Sequence, residues 1–120
     1  MEVSVSILGT EYKIIRQNYD EDTYFGKKGV IGYCDTVLKK IHIGNVRSFP
    51  NYKDESDEYC VEHTKQIFRH ELIHAFLAES GIDSSSINYD GAWATNEEMI
   101  DWFALQLPKI QKELSQVVFD

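Results

Sequence analysis

The chain has little of several things, and each shortage narrows what it can be. Two cysteines in 120 residues, Cys34 and Cys60, are too few for a disulfide framework, and neither belongs to a C-x-x-C pair of the kind thiolate zinc fingers use. They read as reduced thiols. Bases are scarce, with 12 Lys and Arg against 20 Asp and Glu and a formal charge of −8. Such a chain repels nucleic acid and anionic lipid unless a basic patch is concentrated somewhere, and Lys27-Lys28 and Lys39-Lys40 are too short to form one. No apolar run approaches the 18 or so residues a membrane span requires, and Met1–Gly9 has neither the basic start nor the apolar stretch of a signal peptide. The expectations are a cytoplasmic protein with no nucleic-acid or membrane partner, built as one domain over residues 1–120.

What is present reads as α+β. Val3, Val5 and Ile7 alternate with serines, the period of a half-buried strand, and a turn at Gly9-Thr10 leads into a second run around Tyr12, Ile14 and Ile15. Residues 17–29 are polar, carry two glycines and read as a loop. A strand pair is expected at Val30–Tyr33 and Val37–Ile43, turning at Cys34-Asp35. After a loop over 44–56, acids cluster where the positive end of a helix dipole belongs, which predicts a helix from Ser56 or Asp57 to about Ser80, with Gly81 past its end. Its middle, Ile67–Ala78, is apolar nearly all round, as for a helix inside the domain. A loop over 81–94 precedes a last helix. There Thr95 and Glu98 fit a capping box, Ile100, Phe103, Leu107, Ile110 and Leu114 form an apolar stripe, and Pro108 predicts a break or kink.

The chemistry sits at His70-Glu71-Leu72-Ile73-His74, an H-E-x-x-H pattern on the predicted core helix. Four residues advance a helix by slightly more than one turn, so both imidazoles leave one face about 6 Å apart along the axis, within reach of a single zinc ion. Glu71 leaves at an angle that reaches a water on the metal without ligating it, the position of a general base. Three polar side chains in the most apolar part of the chain need something to satisfy them, and a metal does so. A third ligand is required. Among Glu97, Glu98 and Asp101, Glu98 is drawn to the capping box, which favours Glu97, while Asp101 shares its face and is placed to accept a ring N–H. Glu98 and Asp101 stay open as alternatives.

H-E-x-x-H followed by N-E-x-x-x-D resembles the gluzincin metallopeptidases, and within them the ImmA/IrrE-type metallo-endopeptidases of bacteria and phages. The likeness runs through Gly32-Tyr33, Ile41–Asn45, Phe68–His74 and Glu97–Ala104 to Leu107-Pro108, with bulky Leu72 and Asp101 as departures from the usual pattern. It implies a minimal zincin-like domain: a short twisted N-terminal sheet packed on the H-E-x-x-H helix and a second, ligand-bearing helix. It implies one zinc on His70, His74 and Glu97, and peptide hydrolysis with Glu71 as base. The substrate would be a protein or peptide, with a neighbouring repressor as one candidate, so a regulatory protease of phage or mobile-element origin. In zincins the substrate lies beside an edge strand, for which Val37–Ile43 is the candidate by position, and Tyr89 is a candidate donor to the oxyanion. The competing expectation is a non-catalytic zinc-binding module, its fourth corner closed by His42 or His63.

Overall fold

The computed structural model describes residues 2–82 and 92–116, with the side chains of residues 2, 113, 114 and 116 excepted. The architecture is α+β, and among the described residues it comprises a four-stranded sheet and three α-helices. Strands β1 (Glu2–Ile7) and β2 (Thr10–Gln17) form an antiparallel hairpin. Its two turn residues, Leu8 and Gly9, both have positive φ, so the turn lies one residue earlier than the sequence suggests. Helix α1 (Thr23–Lys28) occupies part of the expected loop. Asp22 caps it by accepting from the Tyr24 N–H, and Gly29 ends it in the left-handed region at φ 66°.

Strands β3 (Gly32–Asp35) and β4 (Lys40–Gly44) complete the sheet in the order β1-β2-β4-β3, with β2 and β4 parallel and the other pairs antiparallel. Val37 and Leu38, expected within a strand, are exposed turn residues instead. The Asp35 carboxylate accepts from both their N–H groups at 3.0 and 2.9 Å, which diverts the backbone from the ladder despite the β-propensity of those side chains. The expected strand at Val37–Ile43 therefore shrinks to β4, an interior strand. The edge beside the helices is β3.

Helix α2 (Asp57–Glu79) begins where the acids predict, with the Ser56 hydroxyl accepting from the Tyr59 N–H, and gives way to Gly81 at φ 86°. Ala75, Ile67, Phe68 and Leu72 pack on the sheet face formed by Ile7, Tyr12, Ile14, Ile41 and Ile43. Helix α3 (Glu97–Gln116) covers a second side of α2 through Ile73, Leu77, Ala94, Met99 and Ile100. Among the described residues the sheet and α3 cover two sides of α2, and its middle is mostly half-buried rather than enclosed, with Phe76 40% exposed. The α3 stripe is buried near its start, at Ile100 and Ala104, and Leu107 is already exposed. No described helix is long and apolar enough to cross a membrane.

Two details of α3 differ from expectation. Its cap is Asn96, whose side chain accepts from the Met99 N–H at 3.0 Å, whereas the Thr95 hydroxyl is spent on Ala92 O in a preceding 3-10 turn. The helix also runs unbroken across Pro108. Proline deprives the carbonyl four residues back of its helical donor, and that carbonyl, Ala104 O, accepts from Arg69 Nε of α2. One interhelical bond thus replaces the missing intrahelical one and docks α3 on α2.

Arg69→Met should lower stability by about 1–3 kcal/mol by orphaning this carbonyl. The loss should shrink in a Pro108→Ala background, where residue 108 regains an N–H. Denaturant titration of the double-mutant cycle reads the coupling, and strict additivity of the two substitutions would show that Arg69 does not compensate for the proline.

Candidate metal centre

Each polar group of the centre is held by an element whose reason to be there is local. His70, Glu71 and His74 project from the middle of α2, one turn apart, and Glu97 and Asp101 from the first two turns of α3, one turn apart on one face. The Arg69 bond and the Ile73–Leu77–Ile100 contact bring the two faces together.

Two ring nitrogens and the two oxygens of one carboxylate then converge. His70 Nε2 lies 3.1 Å from one Glu97 oxygen, His74 Nε2 lies 3.2 Å from the other, and the two Nε2 atoms are 3.2 Å apart. Ligands of a tetrahedral zinc at 2.0–2.1 Å are separated by about 3.3–3.4 Å, and these three spacings between the two rings and the carboxylate lie close to that. The donor set suits a cation. His70 Nδ1 lies 2.8 Å from an Asp101 carboxylate oxygen, so a ring N–H placed there turns the Nε2 lone pair toward Glu97. With the rings neutral in that form, a cation at the centre meets nitrogen lone pairs and a carboxylate; without a cation, a second proton on His70 would bridge to Glu97 instead.

Glu71 is buried, at 7% exposure, with its nearer oxygen 4.0 Å from His70 Nε2. His70, Glu71 and His74 present ligand atoms within 4.8 Å of one another, but Glu97 is closer to both rings, so Glu71 is the neighbour of that donor set rather than a member. Burial pushes the Glu71 carboxyl up to about 7, with the negative charges of Glu97 and Asp101 adding to the rise and His70 opposing it. The charge of a bound cation acts in the same sense as His70.

The centre opens into a cleft of about 450 Å3 between α2 and the edge strand β3, lined by Gly32, Tyr33, Cys34 and Thr36 opposite His70, Glu71 and His74. Gly32 is what lets the strand come so near. A Cβ there would meet Ile67 Cγ2 at 2.6 Å and Glu71 Cγ at 3.4 Å.

The structure brings together His70, Glu71, His74, Glu97 and Asp101. It leaves Glu98 exposed, without the capping role that the sequence suggested. Neither histidine expected to close the site does so. His42 bonds Gln17 Oε1 at 2.9 Å and stacks on Tyr33, while His63 packs against Tyr52 and Tyr59. Sequence reasoning missed the close approach that Gly32 allows and the clamp of Arg69 on Ala104. The Pro108 position was a usable signal for the second, since it names the carbonyl in want of a donor. Tyr89 lies outside the described residues. Compared with protein-family models, curated proteins and solved structures, the chain matches none.

Purified protein should take up one zinc ion per chain, and Asp101→Ala should weaken uptake about 10–100-fold by freeing the His70 ring. Competition against a chromogenic chelator measures this. Wild-type affinity in Asp101→Ala would mean that the Asp101–His70 bond orients nothing.

Proposed function

We propose that this protein is a zinc-dependent metallo-endopeptidase of gluzincin type, with His70, His74 and Glu97 as metal ligands and Glu71 as general base. The observation that carries the reading is the convergence of two imidazole nitrogens and one carboxylate at close to tetrahedral spacing, with a buried carboxylate beside it and a cleft in front. A zinc ion held there supplies Lewis-acid polarisation of a carbonyl and acidifies water. Glu71 takes a proton from the attacking water and returns it to the departing amine. Asp101 holds the His70 ring in the tautomer that turns Nε2 inward. An extended peptide laid in the cleft runs beside β3, and Gly32 keeps that strand close enough to Glu71 for the scissile carbonyl to meet both walls.

The resemblance to ImmA/IrrE-type proteins extends the proposal to a cytoplasmic regulatory protease of phage or mobile-element origin, with a repressor protein as one candidate substrate. The alternative is a non-catalytic zinc-binding module of zincin-like fold. Against it stands the engagement of His42 and His63 elsewhere, which among the described residues leaves no histidine to close a fourth corner.

Glu71→Gln should keep zinc at wild-type stoichiometry and cut peptide hydrolysis about 100- to 10,000-fold, read on a pool of quenched fluorogenic peptides. Wild-type turnover in that variant rules out the mechanism. A zinc-loaded wild type without turnover favours the module.

A further inference from the structure

The cleft at the metal centre does not end there. A second hollow of about 260 Å3 shares Val30, Gly32, His70 and Glu71 with it and continues to His63 and Gln66. These two residues in turn line a third of about 600 Å3, which reaches Ser56, Glu58, Tyr59 and Glu62. Through these shared residues the three hollows follow one another along α2, from the proposed zinc ligands toward the start of the helix. From His70 or Glu71 to Glu62 or Tyr59 is 8–12 helical residues, or about 12–18 Å at 1.5 Å each. An extended peptide covers that in four to five residues at about 3.3 Å each.

The far end is walled by aromatic rings. Tyr59 and His63 have centroids 5.5 Å apart, and Tyr52 lies 6.1 and 5.4 Å from them, with interplanar angles of 23–32°. Tyr59 is 41% exposed, so its ring is open to a ligand. Glu58 and Glu62 line the same hollow. Glu62 has a partner in Lys65 at 3.3 Å, an exposed pair that competes weakly. Arg69, the cation lining this end, is tied to Ala104 across the helix interface. The exposed face of Tyr59, with Glu58 and Glu62 lining the same hollow in a chain of net charge −8, suits an organic cation.

We propose that this wall is a specificity subsite for a lysine or arginine side chain of the substrate, four to five residues from the scissile bond and on one side of it. The inference rests on the peptidase reading for the position of that bond, but the recognition is testable by binding alone. The probes are two acetylated, amidated alanine-based decapeptides, one carrying a single arginine and the other citrulline at the same place. They are titrated into zinc-loaded Glu71→Gln protein while the NMR signals of Tyr59 and His63 are followed.

The arginine peptide should bind about 3- to 30-fold more tightly than the citrulline peptide and shift both signals. Tyr59→Phe should keep the difference, whereas Tyr59→Ala combined with Glu62→Gln should erase it. Equal affinities, absence of binding by either peptide, or shifts that bypass Tyr59 and His63 would overturn the subsite. Discrimination without cleavage of the arginine peptide by the wild-type protein would count against hydrolysis alone, and cleavage without discrimination against the subsite alone.

Discussion

Two imidazole nitrogens and a carboxylate face one another across distances of 3.1–3.2 Å, and the rest of the molecule is arranged to keep them there. Asp101 sits against the other ring nitrogen of His70, so that a proton held there turns the Nε2 lone pair inward. The ring pair is fixed by helix pitch within α2. The carboxylate comes from α3, so the centre is only as well defined as the seating of one helix on the other. Arg69 carries much of that seating. It is the residue directly before His70, and it supplies the donor that Pro108 takes away from Ala104. A substitution at position 69, next to His70, or at position 108, about two turns beyond Asp101, therefore bears on the geometry of the centre.

The sheet has a different task. Its inner face buries the apolar side of α2, and its edge strand β3 provides the opposite wall of the cleft. Gly32 sets the gap between strand and helix, and Glu71, the only charged side chain among the described buried residues, lies in that gap. Its raised affinity for a proton follows from burial before any neighbouring charge is counted. The same helix face carries the run of hollows on toward Tyr59, so one element presents the proposed base, two proposed ligands and the proposed recognition wall in register.

Much of this was legible in the residues. The H-E-x-x-H spacing puts His70, Glu71 and His74 together by helix geometry alone, and the acids before Asp57 and the glycine at 81 mark the ends of α2. Glu97 and Asp101 could be named because four residues on a helix share a face. The capping box of Thr95 and Glu98, which favoured Glu97, does not form. Thr95 and Asn96 are adjacent and both are good caps, and the 3-10 turn that consumes the Thr95 hydroxyl is a tertiary outcome. The unbroken course of α3 across Pro108 was out of reach for a similar reason, since the compensating donor lies 39 positions earlier in the chain. At Val37 and Leu38 a local rule outweighed propensity, because the Asp35 side chain competes for the backbone the ladder would have used. The short helix α1 had its signals in plain view, Asp22 before it and Gly29 after it, but Gly26 inside it made the segment look like a loop.

The most direct test is X-ray absorption at the zinc edge on protein loaded with one equivalent of metal, comparing wild type with Glu97→Ala. The account predicts two imidazole nitrogens and low-Z oxygen neighbours at about 2.0–2.1 Å in the wild type, and loss of the carboxylate contribution in the variant with both imidazoles retained. A wild-type spectrum with one imidazole or none, or one that Glu97→Ala leaves unchanged, would contradict it.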